Sequence, residues 1–575
     1  MSQKRHPSLL GALLWLGVGI LFLLRNFGIG PDFWSMAARY WPILLILLGL
    51  GKVIDYYRHK EGVSLRVGEV VGIFILLLIG TAITRVSESP ISQAFRDWSI
   101  PMGDSSVHPG QWLGTSYTYT QEATYPMSST APIRIENAYG LVSVTPGSDG
   151  EVRVRLKKVV YTSEESKAKG IADQIRLEAG PQANEEPGMP VKAEVEPKGK
   201  SRGQLFVVKN NRDALAANDY RFNTDMEVFV PKRTDLTVRN SFGELRVSNV
   251  DGKLDLETTH NALELRDCSG EFKVSNRYAE SRLTNLTGNL NVEARGHVYV
   301  EAVKGDVIVR DEYSPVEITD VTGQVTVSNT ESNVRLDKIT KAVVVDARGT
   351  QVNASELGST LKVTTNHRRL EVSDVASNIV LDCQYSTVSL KDIRGNVDLS
   401  TNSDRITADG IRGYLKVKGQ GSGIRANSVD GPVEIQTTLK DVIVNNFGGS
   451  CTVANEYADV SLSTGTLGKG DIAVKNHNGG IDLFIPEGAP FQIDATARNG
   501  RVASDYAGLE PSQGAGDVGL LKAKLKGGGP KILLDTEYSN INIRARGSEG
   551  DAGSKVESEP GSRQPRRARR AEAVR

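Results

Sequence analysis

Between residues 234 and 466, apolar side chains return at fixed intervals along the chain. The register can be set on the residue two places before each alternating apolar pair. It then reads Gly252, Gly270, Gly288, Gly305, Gly323, Lys341, Ser359, Ser377, Gly395, Gly413, Gly431 and Gly449. Every step is 18 residues except that from Gly288 to Gly305, which is 17, and an earlier coil at Thr234 fits the same register. Counting the register residue as place 1, the apolar residues fall at places 3, 5, 12, 14 and 17. In the coil at Gly323 these are Val325, Val327, Val334, Leu336 and Ile339. Alternation within each pair is the period of a strand with one buried face, whereas a helix needs spacings of three and four. The two pairs lie nine residues apart, so each coil is two half-turns of nine. The prediction is an all-β parallel β-solenoid.

A meander of hairpins is the competing arrangement. It needs Asn-Gly-type turn pairs at each reversal, and these are rare here. Parallel stacking instead sets equivalent positions one above another at about 4.8 Å, giving a rod roughly 60 Å long filled by columns of Val, Leu and Ile. One coil cannot bury such a face alone, so many are needed.

The outward places agree with stacking. Place 13 sets Glu264 beside Arg282 and Glu317 beside Arg335, which avoids a ladder of like charges. Place 7 carries Asn240, Asn276, Asn329 and Asn455, suited either to left-handed turn backbone or to an asparagine ladder. Place 9 carries Phe242, Tyr278, Tyr313, Tyr385 and Tyr457, and also His260 and His367. A stack that fills the corner is one reading of these rings, and a platform for sugars is the other.

Three apolar stretches precede this region: Leu9–Leu24, a shorter one from about Met36 to Val53, and Val67–Ile83. The first and third approach the length of a membrane-spanning helix, while the second carries Arg39 near its start. Lys4 and Arg5 precede the first, and Lys52, Arg58, Lys60 and Arg66 separate the second from the third, while only Arg25 and Arg39 lie in the remaining loop. The positive-inside rule then places the amino terminus in the cytoplasm and everything after about Thr84 outside. The expected organisation is a transmembrane module of three helices over residues 1–86 and a linker over 87–115. An irregular N-terminal β region and cap follows at 116–233, with a short helix around Ser163–Leu177, then the regular solenoid at 234–466. Less regular C-terminal coils with a Gly-rich loop from about Asp505 to Gly529 occupy 467–546. A disordered basic tail ends the chain at 547–575.

The stretch GALLWLGVGILFLLRNFGIGPDFW…YWPILLILLGLGKVI resembles the LiaI/LiaF-like transmembrane module of bacterial envelope proteins. The pattern PIRIENAYGLVSV, then VFVPKRTDLTVRNSFGELRVSNVDG, then repeated V-x-G-x-V-x-V and a closing Gly-Gly-x-x-Ile strand resembles the putative-adhesin β-repeat family over most of residues 131–546. These resemblances imply an extracytoplasmic β-solenoid of unknown biochemical role, attached to the bacterial plasma (inner) membrane and facing the periplasm or exterior.

Composition narrows the chemistry. The 69 basic and 69 acidic residues cancel, so no global field draws nucleic acid. Cys268, Cys383 and Cys451 lie far apart with no CxxC pair; Cys268 and Cys451 fall on inward places and read as small buried apolar residues. His297 and His477 lie near turns, and no metal-binding spacing, nucleophile elbow or phosphate loop occurs. The nearest imitation of a calcium-binding turn, Gly479-Gly480-Ile481-Asp482, occurs once. No catalytic, metal or cofactor-binding residue is therefore assigned, and no cofactor is expected.

The expected function is non-enzymatic: a membrane-integral structural, adhesion-type or envelope-stress protein that meets an envelope polysaccharide or protein partner, its oligomeric state left open. Two alternatives compete. A carbohydrate-active β-helix enzyme would need clustered carboxylates, for which Asp255 with Glu264, or Glu317 with Asp320, are the candidates. A self-assembling envelope scaffold would join end to end through its terminal coils. The inward assignment itself is testable. Val325→Asp buries an unpaired charge and is expected to lower thermal stability by several kcal/mol; unfolding at the parent temperature would refute place 3 as an interior position.

Overall fold

The computed structural model describes residues 115–127, 131–162, 164–182, 205–211, 222–402 and 405–546. They fall into two compact units: the described residues within 1–123, 154–178 and 209–226, and those within 124–153, 179–208 and 227–575.

The second unit is a parallel β-solenoid of about 14 turns. The strand Val325–Thr330 pairs with Val343–Arg348 in register, Val325 opposite Val343 and Val327 opposite Val345. The second strand of the same coil, Asn333–Ile339, pairs likewise with Gln351–Leu357, Val334 opposite Val352. The 18-residue offset recurs from coil to coil, and the 17-residue step is real, with Ser281 opposite Val298. Val325, Val327, Val334, Leu336 and Ile339 are buried, as their places require. Each residue thus lies over its chemical equivalent, and the aliphatic columns exclude water along the stack.

Simple alternation predicts place 16, not 17, as the next inward position after 14. The backbone explains the offset. Asn249, Asp267, Asn285, Asp320, Asp374 and Asp392, all at place 16, adopt left-handed φ between 48° and 60°. This turns one residue outward and returns the next to the interior, where Val321, Val375 and Ile393 are buried. Asn and Asp tolerate this conformation better than other non-glycine residues. At the opposite corner, successive glycines at place 1 let one backbone lie directly on the next. Gly270 has φ +133°, and a Cβ there would meet the Gly252 carbonyl oxygen at 1.9 Å.

Both ends of the stack depart from chain order. Strands Ile133–Tyr139 and Val142–Pro146 form a rung directly against the coil at Thr234, with Ile133 opposite Leu236 and Val142 opposite Leu245. The regular stack therefore begins inside the segment expected to be irregular, and on their other side these two strands pair with Leu205–Asn210 and Phe222–Val230. At the other end, Ile472–His477 sits on Cys451–Glu456 after a 21-residue step. The next rung is not Phe491–Arg498. It is Lys531–Glu537 with Ile541–Arg546, and Phe491–Arg498 lies on its far side. The expected Gly-rich loop contains a strand, Val518–Leu525, antiparallel to Phe491–Arg498. This strand reverses direction and carries Lys522 and Lys524, with Lys526 just past its end, a means of discouraging edge pairing.

In the first unit the predicted helix forms over Glu165–Gln174. Its carboxyl end is closed by the buried Lys158, whose Nζ donates to the Ala172 and Ile175 carbonyls at 2.9 and 2.5 Å. Burial lowers the Lys158 pKa, and Asp173 opposes that shift. No helix among the described residues is long and apolar enough to cross a membrane. The three apolar stretches, the linker up to residue 114 and the tail at 547–575 lie outside the described residues.

The glycine contact gives a sharp expectation. Gly270→Ala forces a methyl group onto the Gly252 carbonyl in an unfavourable φ region, and should destabilise the stack by at least about 2 kcal/mol by thermal or denaturant unfolding. Gly421→Ala, where no atom lies within 4 Å of the added Cβ, keeps the φ cost alone and should lose less.

Candidate functional site

The corner after the first strand of each coil is built from inside outward. Place 7 is the last inward position of that strand, and it is mostly polar: Asn240, Asn276, Asn329, Asn455 and Asn476 are buried there. None of them has the left-handed backbone that was one expectation for these asparagines; that conformation belongs to place 9. Instead each amide locks the corner. Asn240 Nδ2 donates to the carbonyls of Gly243, Glu244 and Gly140, at 2.8–3.1 Å. Asn476 Nδ2 donates to Gly480 and Ala458 in the same manner. The bonds join each turn to the coil beneath it.

Place 9 projects outward from this locked corner. Tyr139, Phe242 and His260 stack nearly parallel, with centroids 4.7 and 4.5 Å apart, and Tyr278 continues the column at 5.2 Å. His367 and Tyr385 form a second stack at 5.1 Å. Nearer the carboxyl end, His477 stands edge-on between Tyr457 and Tyr538, its Nδ1 3.0 Å from Glu537. These rings do not fill the corner. Tyr278, Tyr313, Tyr385, Tyr457 and Tyr538 are 55–65% exposed. Tyr313, Tyr385, Tyr457 and Tyr538 moreover hold left-handed φ of 53° to 68°. A residue with a Cβ gives up about 1–2 kcal/mol to adopt that conformation, and an exposed ring recovers little of it by burial.

The other singled-out residues are dispersed. Asp255 is gripped by Arg239 at 3.2 Å on the first strand of its coil, while Glu264, on the second, lies 3.9 Å from both Arg246 and Arg266. Glu317 faces His297, and Asp320 occupies the left-handed bulge. The expected cross-coil registers of Glu264 with Arg282 and of Glu317 with Arg335 are present. Arg282, however, makes its close ion pair with Glu280, at 2.6 Å, and lies over the Tyr299 ring. All three cysteines are buried, Cys383 at place 7. Burial pushes the thiols up to about 11 at Cys268 and about 12 at Cys383 and Cys451, so they are poor nucleophiles.

Residues 10–102 match the model of the LiaF transmembrane domain. The chain is a membrane protein. It is also similar to a solved structure titled a "putative cell adhesion protein" from Clostridium sporogenes, at 7% identity and a TM-score of 0.13, covering 74% of this chain and 100% of that one. No curated protein matches it.

In this membrane-attached solenoid, one corner lock differs from the rest. Asp311 occupies place 7 and is 3% exposed. Its Oδ1 accepts from the Ser314 amide at 3.1 Å and from Asn329 Nδ2 at 3.2 Å, while Oδ2 is buried with no partner among the described residues. Burial raises its pKa to about 7; the Ser314 hydrogen bond acts in the opposite direction, and Glu312 adds to the rise. A carboxyl whose folded pKa lies above its unfolded one binds more protons in the folded state between the two values. Its contribution to stability therefore falls as pH rises from about 4 to about 7. Asp311→Asn removes that loss. The variant should gain on the parent by on the order of 3 kcal/mol more at pH 8 than at pH 4, measured as paired unfolding curves; a gain independent of pH would refute the assignment.

Proposed function

We propose that this protein is a non-enzymatic, membrane-anchored interaction module. Three amino-terminal helices hold it in the plasma membrane of a bacterium with its amino terminus in the cytoplasm. The solenoid stands on the opposite side and meets envelope polymers along the place-9 corner. The match to the LiaF transmembrane domain supports the anchor and is in keeping with an envelope-stress role.

The observation that carries the contact surface is the pairing of strain with exposure. Tyrosine at a left-handed corner is a poor choice for stability, because Gly or Asn satisfies the same backbone at lower cost. Backbone outliers of this kind are kept where the side chain has work to do. Here the rings point to solvent, recur along the stack and present flat apolar faces beside a phenol hydroxyl, which is the surface that sugar rings and extended chains stack against. Repetition favours long, shallow contact over one deep cleft.

The two roles separate experimentally. Full-length protein in nanodiscs carrying Tyr313→Asn, Tyr385→Asn, Tyr457→Asn and Tyr538→Asn should keep or raise its unfolding temperature while losing at least about tenfold in retention on purified bacterial envelope polysaccharide, as expected when several stacking contacts are removed together. Unchanged retention, or a marked loss of stability, would make the rings structural.

A further inference from the structure

The outward face beside this corner changes character along the solenoid. In several early coils, places 6 and 8 hold mutually paired charges: Arg239 with Glu257 at 2.9 Å, Arg295 with Glu312 at 3.2 Å, and Arg310 with Glu293 at 3.9 Å. In the coils at Gly395, Gly413 and Gly431 the same places carry Ser400, Asn402, Lys418, Gln420, Gln436 and Thr438. A single charge remains among them. At this point the surface is hollowed into a trough of about 590 Å³ that runs across five coils, from Ser400 to His477. The four strand spacings between five coils give it a length of about 19 Å.

The side-chain amides of Asn402, Gln420 and Gln436 are exposed and make no hydrogen bond to another described residue. They stand on successive coils, Asn402 and Gln420 at place 8 and Gln436 at place 6, so the trough offers amide donors and acceptors on three adjacent coils. His477 lines the far end, with the Tyr457 ring packed edge-on against it at 6.2 Å.

We propose that this trough is a subsite for a glycan strand lying parallel to the solenoid axis. The inference rests on the reading of the corner as a polymer-contact surface and names the ligand class. An amide offers two N–H donors and a carbonyl acceptor, which match the mixed donor–acceptor character of sugar hydroxyls. Lys418, Glu456 and Lys475 also line the trough, and hydroxyl and amide side chains make up most of the rest. A peptide strand would instead seek an open sheet edge for its backbone, and here every main-chain edge is already used by the coil above or below.

Cellohexaose and chitohexaose, titrated calorimetrically into the full-length protein in nanodiscs, are the probes, with a hexa-alanine peptide as control. At least one hexasaccharide should bind, and Gln420→Ala with Gln436→Ala should weaken it tenfold or more without moving the unfolding temperature. Binding of neither sugar, binding unaffected by the double variant, or binding of the peptide alone would overturn the proposal. The two readings fail separately. If the double variant keeps full retention on envelope polysaccharide while the tyrosine variants lose it, the trough is refuted and the corner stands; if the parent binds no polysaccharide at all, both fall.

Discussion

Everything in the second unit depends on one constraint, the exact superposition of successive coils. When each residue lies over its equivalent 18 positions later, the backbone satisfies its hydrogen bonds with the coils on either side, and the aliphatic columns close without gaps. The demand is severe at the corners, where chains pass at contact distance. Gly252, Gly270 and Gly288 occupy one such corner, each with φ well above zero and each lying on the carbonyl of the coil before. A residue lost from a coil or added to it must be absorbed within that coil, as in the 17-residue step before Val298 and the 21-residue step before Ile472.

Superposition also explains why polar groups enter the interior. A solenoid corner turns the chain so sharply that carbonyls of the turn point inward, and something must donate to them. The place-7 amides do so, at a cost: the Oδ1 atoms of Asn240, Asn276 and Asn455 are buried without a partner among the described residues. Asp311 is the extreme of the series, a carboxyl in a position chemically fit for an amide.

The repeat was legible in the sequence because the interior is aliphatic and its period is long and almost constant. Val325, Val334 and their equivalents could be assigned inward from spacing alone. The left-handed bulge was less legible, although its mark is present in the run of Asn and Asp at place 16. Place 7 was read two ways because asparagine serves both turns and ladders; the deciding fact, an amide bonded to carbonyls three and four residues on, is a matter of three-dimensional corner geometry. The order of rungs at the carboxyl end was not legible. Segments FQIDA and PKILLD carry the same alternation, and nothing local tells which of them stacks on Ile472. The exposed tyrosines were visible, but not their φ, and the φ is what separates a corner filler from a ring held out at a cost.

That last distinction bears on how repeat proteins acquire binding surfaces. The interior places of a coil are fixed by superposition, so variation is confined to outward strand places and to corners. On the strands, charges compensate one another, and Arg239 with Asp255 and Glu257 shows how completely they are consumed within the protein. Such a face has little left to offer a partner. Rings on a strained corner, and amides with no internal partner, remain uncommitted. Because each coil adds one more equivalent position at a fixed spacing, a weak contact at one level becomes a track along the stack, and its affinity grows with the length of polymer engaged rather than with the depth of any single pocket.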